Sequence, residues 1–127
     1  MTENQKKSRK SSGTIESSPE GEVWVILIKG YFEENLGCKL QDLVDALIQK
    51  QCTEFIIDFS QCFVVNSPGV AKMGDLALTI TQDIQGRLFL TGLDNLKARV
   101  FECAGVTLDA EIATTIEQAL GLLVSHS

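Results

Sequence analysis

Apolar residues change their period several times along this chain, and each change marks an element. VWVILI (residues 23–28) is too dense for a half-exposed strand and fits one buried on both faces, which Gly30 is expected to end. A short, weaker strand is expected at about 13–16, with Ser18-Pro19-Glu20-Gly21 as the turn between the two. In LGCKLQDLVDALIQKQ the period becomes helical. Leu36, Leu40, Leu43, Val44 and Leu47 share one face, while Lys39, Asp42, Asp45 and Gln49 lie elsewhere. EFIIDFS returns to a short central strand. From Ser67 to about Asp83, Val70, Met73, Leu76, Ala77, Ile80 and Ile84 form one helical stripe, with Gly86 as its stop. RLFLTGL is a further strand. Asp94 is the expected N-cap of a helix carrying Leu96, Val100 and Cys103, and Gly105 its left-handed terminator. A short strand near Glu111–Ala113 leads to a last helix opened by a capping box at Thr114-Thr115-Ile116-Glu117.

The predicted order is β-β-α-β-α-β-α-β-α. Strands alternating with helices require crossovers, so the fold class is α/β. A mixed, mostly parallel sheet of about five strands is expected, with about four helices and an antiparallel first pair. No internal repeat is visible. The chain has 127 residues, enough for one domain with its own core. MTENQKKSRKSS (1–12) is polar and aperiodic and is expected to be a disordered tail, leaving 13–124 as the domain.

Charge and composition narrow the function. A net charge of -6 disfavours nucleic acid and anionic membrane surfaces as ligands. No apolar run reaches the length of a membrane span. The basic residues near the start are followed by Ser and Gly and not by an apolar core, so no secretory signal is read there. The four cysteines (Cys38, Cys52, Cys62, Cys103) form no C-x-x-C pair, and the single histidine, His126, is remote from them. No metal site and no cofactor are expected. Their apolar surroundings suggest small buried hydrophobes carrying reduced thiols in a cytoplasmic protein, two disulfides being the other arrangement four cysteines permit.

The candidate chemistry lies at Asn66-Ser67-Pro68-Gly69-Val70, where an apolar strand gives way to a helix. Pro68 pushes Ser67 towards extended geometry, and Pro is well suited to the first helical position, so Ser67 can be the helix cap. The same place, at the carboxyl end of a parallel strand and the start of a helix, suits a modifiable hydroxyl. A phosphate there would add about -1.5 to -2 charges and change a docking surface without unfolding the helix.

FIIDFSQCFVVNSPGVAKM resembles the core motif of the STAS domain of bacterial anti-sigma factor antagonists. That motif is an apolar strand ending in Asp-x-Ser, then Asp-Ser-Ser/Thr-Gly, an apolar residue and a helix. Asp58-Phe59-Ser60 matches the first part and Asn66-Ser67-Pro68-Gly69-Val70 the second. RLFLTGLDNLKARVFECAGV and TTIEQAL resemble the elements that follow, so the likeness spans roughly 20–122. It implies a binding protein and no enzyme, switched by phosphorylation of Ser67. The kinase would be its own partner, an anti-sigma factor/serine kinase, and a serine phosphatase would reset the cycle. Asp58 would lie near Ser67, and Gly69 would let the partner's backbone approach. Two positions depart: Asn66 keeps the shape of the family's Asp and loses its charge, and Pro68 stiffens the loop.

Leu78 falls off the buried stripe, with Ala71 and Gly74 beside it, and is either a partner contact or one of the single exposed leucines common on surfaces. Glu33 and Glu34, in GYFEEN, occupy a loop that often joins the family's partner surface, and equally read as a solvated acidic turn. A Ser67–Asp94 (or Asp109)–His126 triad has the chain order of an α/β-hydrolase. Val65 stands where the nucleophile elbow needs Gly, and His126 is next to last. Neither a Walker A nor a G-x-G-x-x-G pattern is present. The remaining alternative is an unphosphorylated STAS module, a scaffold or an accessory subunit of a signalling or membrane transport complex. A monomer is expected when free, because the apolar stripes are all assigned to the core.

Overall fold

The computed structural model describes residues 13–124. The disordered tail expected at 1–12, and His126, lie outside them. The described chain forms one five-stranded sheet in the order β1-β2-β3-β4-β5: β1 (Gly13–Glu20), β2 (Val23–Phe32), β3 (Glu54–Val65), β4 (Arg87–Thr91) and β5 (Glu111–Ile112). β1 pairs antiparallel with β2, and every later pairing is parallel. The helices are α1 (Glu34–Gln49), α2 (Ser67–Leu78), α3 (Asn95–Cys103) and α4 (Ile116–Val124). The order and class expected from the sequence are those observed. No described helix is long and apolar enough to cross a membrane.

Side-chain alternation divides the core into two layers. Ile26, Ile57 and Leu90 are in register on one face and pack under Leu36, Leu40 and Val44 of α1, Met73 and Leu76 of α2, and Phe101 of α3. Val25, Ile56 and Phe89 point the other way and meet Ala119 and Leu123 of α4. The central strands are covered on both sides, which is why they read as continuous apolar runs.

Several boundaries differ from expectation. β1 runs on through Ser-Pro to Glu20, and the hairpin turns at Gly21-Glu22, with Glu20 opposite Val23. Gly21 has φ +66, the positive value a tight hairpin needs. An edge strand accommodates Pro19, whose missing N–H costs no pairing where the ladder is one-sided. β2 does not end at Gly30. It passes through a register shift there, Gly30 taking φ +83, and pairs on to Phe32. β3 likewise continues to Val65, beyond its last pairing with β4 at Asp58–Thr91. The helical stripe expected to Asp83 is α-helical to Leu78 and closes with a π-turn over Thr79–Asp83, in which the Ile84 N–H donates to Thr79 O. The left-handed residue after it is Gln85, with φ +54. Gly86 is there because a Cβ would stand 2.2 Å from Thr53 O.

α4 is capped one residue later than the expected box. Thr115 Oγ1 accepts from the Gln118 N–H at 3.1 Å, and Gln118 Oε1 accepts from the Thr114 N–H. The Asp94 cap of α3 is as expected, accepting from the Lys97 N–H at 2.8 Å, and Gly105 follows in the left-handed region. The face of α3 is not as expected. Lys97 and Phe101 are buried, whereas Leu96 is 73% exposed and Cys103 is exposed. Leu96 and Cys103 therefore face outward, while Val100 is half-buried against the core, so the apolar residues of α3 are not all taken up by the core and the ground on which a monomer was expected is removed.

Candidate regulatory site

The site begins beneath the surface. Phe59 of β3 is buried edge-on to Phe32 of β2 (ring centroids 5.7 Å apart) and tilted against Phe101 of α3 (5.2 Å). These rings fix the carboxyl ends of β2 and β3 to α3. Asp58 is 6% exposed, and its carboxylate is used within the fold. Oδ1 accepts from Thr91 Oγ1 at 2.7 Å, and Oδ2 accepts from the Ser60 N–H and the Ser60 hydroxyl. It was expected beside Ser67 as a partner contact. Instead it ties β3 to β4 at the point where the two strands part.

Beyond that point β2 and β3 run on as a pair, and their ends are joined by short bonds. The Asn66 N–H donates to Phe32 O at 3.1 Å, and Asn66 Nδ2 donates to the Tyr31 hydroxyl at 3.1 Å. Asn66, not Ser67, is the N-cap of α2. Its backbone is extended (φ -112, ψ 170), and Oδ1 accepts from the Gly69 N–H at 2.9 Å. Ser67 is thus the first helical residue and Pro68 the second, where the missing N–H again has no helical partner to lose. Gly69 is buried against this chain's own backbone: a Cβ would lie 2.7 Å from Phe32 O and 3.1 Å from Glu33 Cα. The close approach expected of a partner is made internally.

Glu33 is the N-cap of α1, its Oε1 accepting from the Leu36 N–H at 2.7 Å, so it is no free solvated acid; Glu34 is exposed in the first turn. With the capping role taken by Asn66, the Ser67 hydroxyl is left exposed, and among the described residues it has no hydrogen-bond partner.

Ser67 lines a groove of about 610 Å³ between α2 and α3. Val70 and Ala71 form one wall, and Leu96, Val100, Cys103 and Ala104 the other, with Arg99 as the one charged side chain. Val70 is buried and forms floor more than rim. The α3 wall was missed by sequence reasoning. Its signal was a nine-residue helix with Leu96-Val100-Cys103 at helical spacing beside Phe101, which gives two apolar faces where the core needs one. Leu78, 47% exposed, stands at the far end of α2, about 16 Å along the axis from Ser67.

Of the cysteines expected to be buried, only Cys62 is. Burial pushes its thiol pKa up, outweighing the nearby Lys97, and its Sγ–H donates to Val64 O. At the start of α3, Lys97 Nζ donates to Asp94 Oδ2 at 2.7 Å, and that bond, with the Lys97 N–H, holds the Asp94 carboxyl below its usual range.

This architecture, a five-stranded mixed sheet whose central carboxyl end carries a serine at a helix start, is the STAS fold. No protein-family model and no curated sequence matches the chain. Solved structures do match. An anti-sigma factor antagonist from Mycobacterium paratuberculosis aligns at a TM-score of 0.76 and 15% identity, over 88% of this chain and 94% of that one. The anti-sigma factor antagonist SpoIIAA aligns in its unphosphorylated form (TM-score 0.67, 17% identity, 90% and 98% of the two chains). It also aligns in its phosphorylated form from Bacillus (0.66, 19%, 88% and 99%). A sulfate transporter family protein from Wolinella succinogenes aligns at 0.73 and 16%, over 87% and 93%. At these identities the likeness is one of fold.

Proposed function

We propose that this chain is an anti-sigma factor antagonist of the partner-switching kind: a cytoplasmic, non-enzymatic regulator. Its unphosphorylated form docks on an anti-sigma factor/serine kinase through the rim of Ser67 and the groove beside it. The kinase then modifies it. The Ser67 Oγ–phosphorus bond forms as the bond from the γ-phosphorus to the bridging oxygen of ATP breaks. ADP leaves, and the hydroxyl proton passes to a base on the kinase. The added charge ends docking, and a serine phosphatase restores the hydroxyl by hydrolysis. One observation carries this reading: Asn66 caps the helix, so the exposed Ser67 hydroxyl is free of structural work at the edge of an apolar groove.

Partner-facing residues on this reading are Ser67, Pro68, Glu34 and Leu78 at the surface, with Val70 as groove floor. Asp58, Asn66, Gly69 and Glu33 hold the rim in shape. Phosphopeptide mapping of the protein from its native cells, in growth and in stress with phosphatases blocked, is the test. Phosphate on Ser67 that changes between conditions is expected; its absence in both refutes the switch. Leu78→Lys is expected to weaken capture of the cognate kinase with the thermal midpoint unchanged, and unaltered binding removes Leu78 from the surface.

A second reading is favoured by the match to a sulfate transporter family protein and by Asn66 standing where a carboxylate is usual. It is an unphosphorylated docking module, a scaffold or an accessory part of a transport complex. Absence of phosphate on Ser67, with the groove still binding a partner, would select it.

A further inference from the structure

A phosphate on Ser67 needs counter-charge, and the start of α2 supplies little of it. Of the first-turn amides, Pro68 has none, the Gly69 N–H is occupied by Asn66 Oδ1, and the Val70 N–H donates to Asn66 O. Only the Ser67 N–H remains. The other cations near this end of the molecule are engaged or turned away: Lys97 is buried on Asp94, and the Lys72 stem packs towards Gly37 of α1. Arg99 differs from both. It is exposed, it lines the same groove as Ser67, and among the described residues no carboxylate pairs with it.

We propose that Arg99 is the phosphate receptor of the switch, closing across the groove from α3 onto phosphorylated Ser67 on α2. The inference rests on the phospho-switch reading and gives it a mechanism. A guanidinium presents a planar fork of donors that matches two phosphate oxygens. Bridging α2 to α3 in this way lays the Arg99 side chain over Val70, Ala71 and Val100. Phosphorylation then does two things at once. It places negative charge on the rim, and it covers the apolar floor that a partner would use. Arg99 also changes roles with state: it is a free cation at the groove's edge before modification and an internal counter-ion afterwards.

The test uses the full chain with phosphoserine incorporated at position 67, so no cognate kinase is needed. The ³¹P resonance is titrated with pH in the otherwise unchanged protein and in the Arg99→Gln and Arg99→Lys variants. A phosphoserine ordinarily loses its second proton near pH ~6. With Arg99 present the midpoint is expected below that value. Arg99→Gln should raise it by about half a unit or more, a threefold or greater change in acidity. Arg99→Lys should fall between, keeping the charge and losing the fork. The phosphorylated protein should also melt higher than phosphorylated Arg99→Gln, while their unphosphorylated forms melt alike. A titration indifferent to Arg99→Gln overturns the proposal, whatever the state of Ser67 in cells. Absence of phosphate on Ser67 in cells overturns the phospho-switch and leaves this titration as it was.

Discussion

Asp58 joins three groups that would otherwise part, and removing its carboxylate tests whether that junction holds the site's foundation. In Asp58→Ala the Thr91 hydroxyl loses its acceptor at 2.7 Å. Thr91 is fully buried, so water cannot replace the bond, and an orphaned hydroxyl costs about 1–3 kcal/mol. The Ser60 N–H and hydroxyl also lose their acceptor, but Ser60 is exposed and rehydrates, adding about 1 kcal/mol at most. The expected loss is about 1–4 kcal/mol. With a urea dependence of about 2 kcal/mol/M for a domain of this size, the midpoint should fall by about 0.5–2 M. Asp58→Asn should lose less, about 1–2 kcal/mol: Oδ1 still accepts from Thr91, while the new amide faces the Ser60 N–H, donor to donor. The double variant Asp58→Ala/Thr91→Val removes the orphan itself, so it should be no less stable than Asp58→Ala alone, a coupling of about 1 kcal/mol or more. Loss of under about 0.5 kcal/mol in Asp58→Ala, or strict additivity in the cycle, refutes the assignment of Asp58 as the tie between β3 and β4.

Gly69→Ala should destabilise by about 1–3 kcal/mol in the same urea assay, because the methyl group meets the backbone at Phe32 and Glu33, which has no rotamer to yield. Asn66→Ala should cost about 1 kcal/mol for the lost cap, with Asn66→Asp costing less because the cap survives. The Asp94 carboxyl is held low by Lys97. Its stabilisation is therefore present above the ordinary aspartate range and lost as pH falls through the lowered value, so the melting midpoints of the parent and Asp94→Asn should differ at neutral pH and converge in acid. Alkylation by iodoacetamide followed by mass spectrometry should label Cys38 and Cys103 fast and Cys62 slowest, since burial raises the Cys62 thiol and blocks access; equal rates would contradict its burial.

The sheet and its helices were legible because each central strand has one dense apolar run and each long helix one stripe. Asp94 was legible as a cap because it precedes a helix with nothing competing for the role. Ser67 was misplaced by one residue for the opposite reason. Asn66 and Ser67 are both good caps, and Pro68 fits either the first or the second helical position, so local chemistry could not separate them. The tertiary bond from Asn66 to Tyr31 did. The outward face of α3 was hidden by a lysine in the core: a stripe drawn through apolar residues passes over Lys97, which is buried because Asp94 meets its charge. The ends of β2 and β3 ran longer than expected because they hold each other, a pairing invisible in either segment alone.

The antiparallel first strand has a practical consequence for anything joined to this domain. Gly13 lies opposite Gly30, on the pole where β2 leads into the Phe32–Glu33 corner beneath Ser67. Val124 lies at the other pole, in a recess with Glu20, Gly21, Glu22 and Glu54. A tag, fluorophore or neighbouring module joined ahead of Gly13 is therefore attached at the Ser67 pole, where its bulk bears on anything docked there. The same attachment behind Val124 is held a full strand length away. A tether from the carboxyl side leaves the rim open, and one from the amino side guards it.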